Sequence, residues 1–310
     1  MRLSERSLVV ISVSLIAVIT VATLLLATFR GPPPAPGYVA LIEVRGTLSY
    51  SQSPLSLLGA TADADELLKL LDEALRDDAV KAVVLRINSP GGSAAASEAI
   101  YLKVRELAAS KPVVAFIEEY GTSGAYMLAL PAHEIVAANS SIVGSIGVYM
   151  MVVTYSGLLD KLGIKVYIFK SGEFKDVGSP FREPTEAEKR ILEEMVSEIF
   201  SLFRERVLMH RGDKVANSSE VFSGRPFTAV EALKIGLIDK VGTLEDAVAD
   251  AKRLAGLPED APVQELKPPR PGLLQLLFGQ ASSTPPLIPS YEVLTMWPPP
   301  LTGYPRVSRG

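Results

Sequence analysis

KAVVLRINSPGGS, residues 81–93, decides how the fold is read. Lys81–Ile87 (KAVVLRI) reads as a buried strand. Asn88-Ser-Pro-Gly-Gly-Ser93 then turns the chain, and a helix is expected from about Ser93 to Ala109. The same order recurs outward. Pro112–Ile117 (PVVAFI) is a strand, followed by Gly121-Thr-Ser-Gly-Ala-Tyr126 and an apolar helix. Upstream, Tyr38–Val44 is β-rich, and Asp65–Leu75 places Leu67, Leu71, Ala74 and Leu75 on one helical face. Downstream, Lys165–Phe169 (KVYIF) reads as a strand. Pro184 opens a long amphipathic helix striped by Leu192, Val196, Phe200, Phe203 and Val207. Thr243-Leu-Glu-Asp246 has the form of a capping box for a last helix ending near Leu254. Strands alternating with helices predict an α/β fold with parallel strands joined by crossover helices.

The chain has 310 residues and a net charge of −4, so no basic surface points to nucleic acid. It has no Cys, which excludes disulfides, thiolate nucleophiles and Cys-based metal sites. Its two His, His133 and His210, stand in no metal-ligand spacing. No cofactor or metal is expected.

Ser7–Phe29 is uncharged and dense in Val, Ile, Leu and Ala. At about 1.5 Å rise per residue a helix of this length reaches across a hydrocarbon core of about 30 Å. A signal peptide would end at a small-x-small site, which Leu26-Ala27-Thr28-Phe29-Arg30 fits poorly, so an uncleaved anchor is expected. Arg2 and Arg6 before the span place the N-terminus in the cytoplasm and the bulk of the chain outside the cell membrane. The expected organisation is a cytoplasmic stub and anchor over 1–30, a Pro-rich spacer over 31–37, a catalytic domain over 38–256, and a Pro-rich disordered tail over 257–310. A segment of that tail docking in extended form is the alternative.

Three stretches carry chemistry. In Asn88–Ser93 paired glycines lie between strand and helix, where backbone N–H groups can approach a developing negative charge. An ordinary turn fits the same residues. In Gly121–Tyr126, Ser123 is flanked by small residues at a strand-to-helix turn and is either an exposed nucleophile or an N-cap. A serine nucleophile needs a base. Neither histidine has an obvious orienting carboxylate, and a desolvated lysine can serve instead. Lys175, in the Gly-punctuated stretch Ser171–Pro180 beside Phe174 and Val177, is the candidate. Its neighbour Asp176 would hinder that role if the two paired, and is expected to point away.

Several stretches match a known family in order: NSPGG at 88–92, TSGAY at 122–126, VGSIGV at 143–148, SGEFKDVGSPFRE at 171–183 and FTAVEALKIGLIDKVG at 227–242. The chain resembles the signal peptide peptidase A family of Ser–Lys proteases over roughly residues 38–255. The resemblance implies a ClpP/crotonase-like stacked αβ superhelix, with Ser123 as nucleophile and Lys175 as base. It also implies an oxyanion hole from Gly91 or Gly92 with Gly124. Ser145, in the matching GSIGV stretch, is the expected orienter of the lysine, or else satisfies loop backbone. GTSGAY stands where the family more often has ASGGY; Thr122 and Ala125 are small enough to cost nothing. The resemblance implies a homo-oligomeric ring, and remnant signal peptides or other apolar segments at the membrane as substrates. The rival readings are a related membrane protease that trims stomatin-like partners, a crotonase-type acyl-CoA enzyme, and a silent binding scaffold.

Overall fold

Buried strands must satisfy their backbone groups against neighbours, and the 81–93 unit does so at the centre of a mainly parallel sheet. The computed structural model describes residues 14–21, 37–50, 61–215 and 219–268, and the backbone of 293–296. By contacts it divides into Met1–Gly37 and Tyr38–Gly310. In the first unit residues 14–21 form a helix, α1, with Thr20 Oγ1 donating to the Ile16 carbonyl at 2.8 Å. The rest of the Ser7–Phe29 run lies outside the described residues. Among the described residues no helix is long and apolar enough to cross a membrane.

The second unit runs β1 (Tyr38–Arg45), β2 (Thr47–Ser49), β3 (Thr61–Asp63), α2 (Ala64–Arg76), β4 (Val80–Ser89), β5 (Gly91–Ser93), α3 (Ala94–Ala108), β6 (Val113–Thr122), α4 (Gly124–Ala129), β7 (Glu134–Ala137) and β8 (Ile142–Gly144). It continues with β9 (Tyr149–Met150), α5 (Ser156–Lys161), α6 (Glu186–Val215), β10 (Pro226–Thr228), α7 (Ala229–Lys234), β11 (Lys240–Val241), α8 (Leu244–Leu254), β12 (Val263–Leu266) and β13 (Val293–Met296). The larger sheet has the order β10-β8-β6-β4-β1-β12, with β7 beside β6 and β11 beside β7. All its pairs are parallel except β10 with β8.

β4 shows why the sheet is buried on both faces. Val83, Leu85 and Ile87 enter one core with α2, α3 and α4, while Ala82 and Val84 enter a second core under α8. The period of two along the strand makes that division. Helix starts follow local chemistry. Asp63 caps α2 by accepting from Asp65 N–H and Glu66 N–H at 2.9 and 3.2 Å. The Thr243 box is present at α8, with Asp246 N–H on Thr243 Oγ1 at 3.2 Å and Thr243 N–H on Asp246 Oδ2 at 2.8 Å. The 81–93 helix begins at Ala94, with Ser93 as its cap.

Three features differ from the sequence reading. Residues 165–169 are not a strand; they run exposed and unpaired, with Tyr167 and Phe169 turned to solvent. A short apolar run of β-branched and aromatic residues marks strand propensity but does not supply a partner. The domain expected over 38–256 does not stop at 256, because β12 pairs in parallel with β1, Val39 opposite Val263. Its Val-Gln-Glu-Leu is mixed in polarity because it is an edge strand, so hydropathy does not separate it from the tail. The third is β13, a strand within the stretch read as disordered tail.

A smaller sheet, β3-β2-β5-β13-β9, lies at the carboxyl ends of the central strands. Within it β5 is pressed onto β2: a Cβ on Gly92 would stand 2.0 Å from the Leu48 carbonyl oxygen. Backbone cannot yield as a side-chain tip can. Gly92→Ala is therefore expected to destabilise the chain by about 3 kcal/mol, the upper end for overpacking, measured by urea unfolding.

Candidate active site

Ser123 sits at the bend between β6 and α4 with φ 53° and ψ −121°. Among the described residues, the other non-glycine with positive φ is Ser145, at 50°. Holding an L-residue in such a conformation costs on the order of 1–3 kcal/mol, so the surroundings must enforce it. Around Ser123 they do. Pairing of β6 with β8 sets Thr122 opposite Gly144, and Ser123 N–H donates to the Gly144 carbonyl at 2.6 Å. Ser123 Oγ donates to the Gly147 carbonyl at 3.3 Å, and the residue is 1% exposed. Ser145 is held the same way, its N–H on the Arg225 carbonyl and its Oγ on the Gly224 carbonyl, both at 3.0 Å.

Both strained serines line one cavity of about 810 Å³. Its other walls are mostly apolar: Val148 and Val152 after β8, Leu192, Val196 and Phe200 from α6, and Phe222. The stripe read along α6 thus divides. Phe203 and Val207 enter the core, Leu192 and Val196 face the cavity, and Phe200 packs against the core while lining the cavity. Exposed Glu193 is the carboxylate at its edge.

Imidazole takes no part. His133 Nδ1 accepts from Val113 N–H at 3.2 Å, and His210 Nε2 is hydrogen-bonded to Tyr101 OH at 3.0 Å. Burial, helped by Arg105 and Arg211, lowers the His210 pKa. Neither histidine lines the cavity.

Lys175 is exposed and does not line the cavity. It lies in the turn between α5 and α6, at the end of a stretch, 161–175, exposed throughout. Asp176 does not pair with it: its carboxylate is taken by Lys170 at 2.6 Å and Arg182 at 2.8 Å. Gly91 has φ 97°, and its N–H is turned onto Ser89 Oγ at 3.2 Å. Gly92 lies between β2 and β13. Gly124 opens α4, so its N–H has no intrahelical acceptor.

A segment of the tail lies beside this site in extended form, as the alternative to a disordered tail had it; which residues pair was not read from the sequence. β13 runs antiparallel to both β5 and β9, placing Thr295 opposite Gly92 and Val293 opposite Met150. Tyr149 and Met150 of β9 also line the cavity of Ser123. An extended segment of the chain thus lies between the glycine turn and the cavity wall. Its one local signal is the short β-prone Val293-Leu-Thr-Met296 among prolines. The chemistry available is a buried hydroxyl on a strained backbone, a helix-start N–H without an intrahelical acceptor, an apolar cavity, and a strand-shaped groove beside them.

The profile of peptidase family S49 matches residues 105–258. The chain is 46% identical over 195 residues to a provisionally named protease of Methanocaldococcus jannaschii, covering 63% of each. To the chloroplastic serine protease SPPA of Arabidopsis thaliana it is 34% identical over 248 residues, 79% of this chain and 37% of that one. A protein of Enterococcus faecium provisionally named signal peptide peptidase SppA is 32% identical over 242 residues, 73% of this chain and 69% of that one. The chain thus spans less than two thirds of the archaeal and chloroplast relatives.

Proposed function

The chain belongs to peptidase family S49, and on that premise we propose that it is a membrane-anchored serine endopeptidase. Ser123 is its nucleophile and Lys175 its base. Its substrates are remnant signal peptides or other apolar segments, bound as strands in the groove that β13 occupies. The observation that carries this reading is the pair of left-handed serines, Ser123 and Ser145, held on the wall of one apolar cavity. Strain of that kind is kept where geometry serves chemistry.

The steps balance as acyl transfer. Neutral Lys175 takes the Ser123 Oγ proton as Oγ attacks the peptide carbonyl carbon. The oxyanion is held by Gly124 N–H with Gly91 or Gly92. The C–N bond breaks, and the lysine returns its proton to the leaving amine. Water, deprotonated by the same lysine, then hydrolyses the ester and restores Ser123. Ser145 Oγ donates to the Gly224 carbonyl and keeps lone pairs with which to accept from the lysine amine and orient it.

For this the Lys175 turn must close on the cavity. The exposed 161–175 stretch, with Phe169 94% and Tyr167 78% exposed, is the surface that assembly would cover. A second copy of the chain in a homo-oligomeric ring is the proposed cover. Ser7–Phe29 holds the protease at the membrane, with the catalytic domain outside the cytoplasm.

The reading is tested by incubating the chain with apolar signal-peptide-like peptides and, separately, with an unsaturated acyl-CoA. Endoproteolysis without acyl-CoA turnover is expected; the reverse would favour the crotonase-type enzyme. A chain ending at Pro268 keeps β12 but lacks β13. It is expected to show a KM for peptide several-fold lower than the full chain. An unchanged KM would mean that β13 does not compete with substrate.

A further inference from the structure

The turn that carries Lys175 is tied down by charges. Residues 162–185 between α5 and α6 contain neither helix nor strand. Arg182 stands at the centre of the ties. Its Nε donates to Asp176 Oδ2 at 2.8 Å, and its Nη1 donates to Glu188 Oε2 at 2.7 Å. Its Nη2 reaches Glu188 Oε1, and also the Asp176 carbonyl at 3.4 Å. Lys170 Nζ covers the other Asp176 oxygen at 2.6 Å and the Glu173 carbonyl at 2.7 Å. Glu188, in the first turn of α6 with its side chain 3% exposed, also accepts from Thr185 N–H at 2.8 Å.

Two carboxylates and two cations thus close a compensated clasp. Glu188 precedes Leu192 by four residues, so the clasp ties the Lys175 turn to the helix face that walls the cavity of Ser123. Both oxygens of Asp176 are engaged, which turns this carboxylate from the neighbouring lysine. An acid free to pair with a lysine base would keep it protonated.

We propose that Arg182, with Lys170 and Glu188, positions the Lys175 base: the clasp anchors the Asp176–Arg182 end of its turn to α6 as the turn closes on the cavity, and holds the Asp176 carboxylate off its amine. This inference rests on the Ser123–Lys175 reading above. The clasp is charged at working pH. Arg182, and then Lys170, hold the Asp176 carboxyl well below the usual range. Glu188 is pulled from 4.5 to about 2, first by Arg182. A depressed carboxylate keeps its contribution above the unfolded pKa and loses it as pH falls through the folded one. The Glu188 contribution is therefore lost between about pH 4.5 and 2, and a change nearer neutral pH is not titration of the clasp. The other charged groups along this turn are Lys165, paired with Asp160 at 3.1 Å, Glu173 and Glu183, which accepts from Thr154 Oγ1 at 2.7 Å.

The test is the pH profile of kcat for the full chain on an apolar peptide. Arg182→Gln frees Asp176. It is expected to lower kcat about tenfold at pH 7 and to move the acidic limb about one unit higher. Adding Asp176→Asn to Arg182→Gln should return the limb to its wild-type position. Lys170→Gln, on a more exposed side chain, uncovers one Asp176 oxygen and should move the limb the same way by a smaller amount. It serves if Arg182→Gln does not fold, which thermal unfolding reports. A limb unmoved in both single variants, or still displaced in the double variant, would overturn the proposal. Failure of the underlying dyad looks different: Lys175→Ala would then keep its turnover, whatever the limb does.

Discussion

Ser123→Ala is expected to lower kcat for peptide cleavage by at least about 10³-fold while the chain stays folded. The hydroxyl makes one weak internal contact, the 3.3 Å donation to the Gly147 carbonyl, so its loss leaves no strong hydrogen bond unmade. Ala also keeps the Cβ that fills the bend. Ser123→Gly carries the argument further. Gly adopts φ 53° without strain, so this variant should be as inactive and about 1 kcal/mol more stable, despite the flexibility it adds to the unfolded chain. Gain of stability with loss of activity is the signature of strain kept for function. A Ser123→Gly chain that unfolds at lower urea would instead make this residue a structural cap. The measurements are single-turnover cleavage and urea midpoints on the same preparations.

Lys175→Ala is expected to lower kcat by a similar factor, about 10³-fold or more. The side chain is exposed and makes no ion pair with Asp176, so its removal should leave the urea midpoint within about 0.5 kcal/mol of wild type. Lys175→Arg separates a base from a mere positive charge. A guanidinium keeps the charge but is not deprotonated in proteins, so it should be as inactive as Ala. Recovery of turnover in the Arg variant would make the residue an electrostatic group and leave Ser123 without a base. Neither His133, which accepts from Val113 N–H, nor His210, which is bonded to Tyr101, stands ready as a replacement.

The central fold was legible because local rules and global packing agree there. β4, its glycine turn and α3 stand where the 81–93 pattern sets them, as does the Thr243 capping box. The unusual backbone at Ser123 was legible as a small-residue turn between strand and helix. Ser145 was named through the family resemblance, and its left-handed backbone was not foreseen. That geometry comes from contacts 79 and 80 residues away, with Gly224 and Arg225, which no local pattern encodes. Non-local pairing also hid β12 and β13, whose partners lie far back in the chain. Residues 165–169 show the converse. Their run of β-branched and aromatic residues marks a strand, but pairing needs a neighbouring edge, and among the described residues they pair with none. The clasp escaped because Asp176, Arg182 and Glu188 are ordinary surface residue types, and only the turn brings them together.

The direct test of Ser123 as a lysine-activated nucleophile is to locate the adduct of a fluorophosphonate probe by peptide mass spectrometry, in wild type and in Lys175→Ala. The account predicts phosphonylation of Ser123 in wild type, and labelling of that serine slowed at least about 100-fold in Lys175→Ala. Labelling at another serine, or undiminished labelling of Ser123 without the lysine, would contradict it.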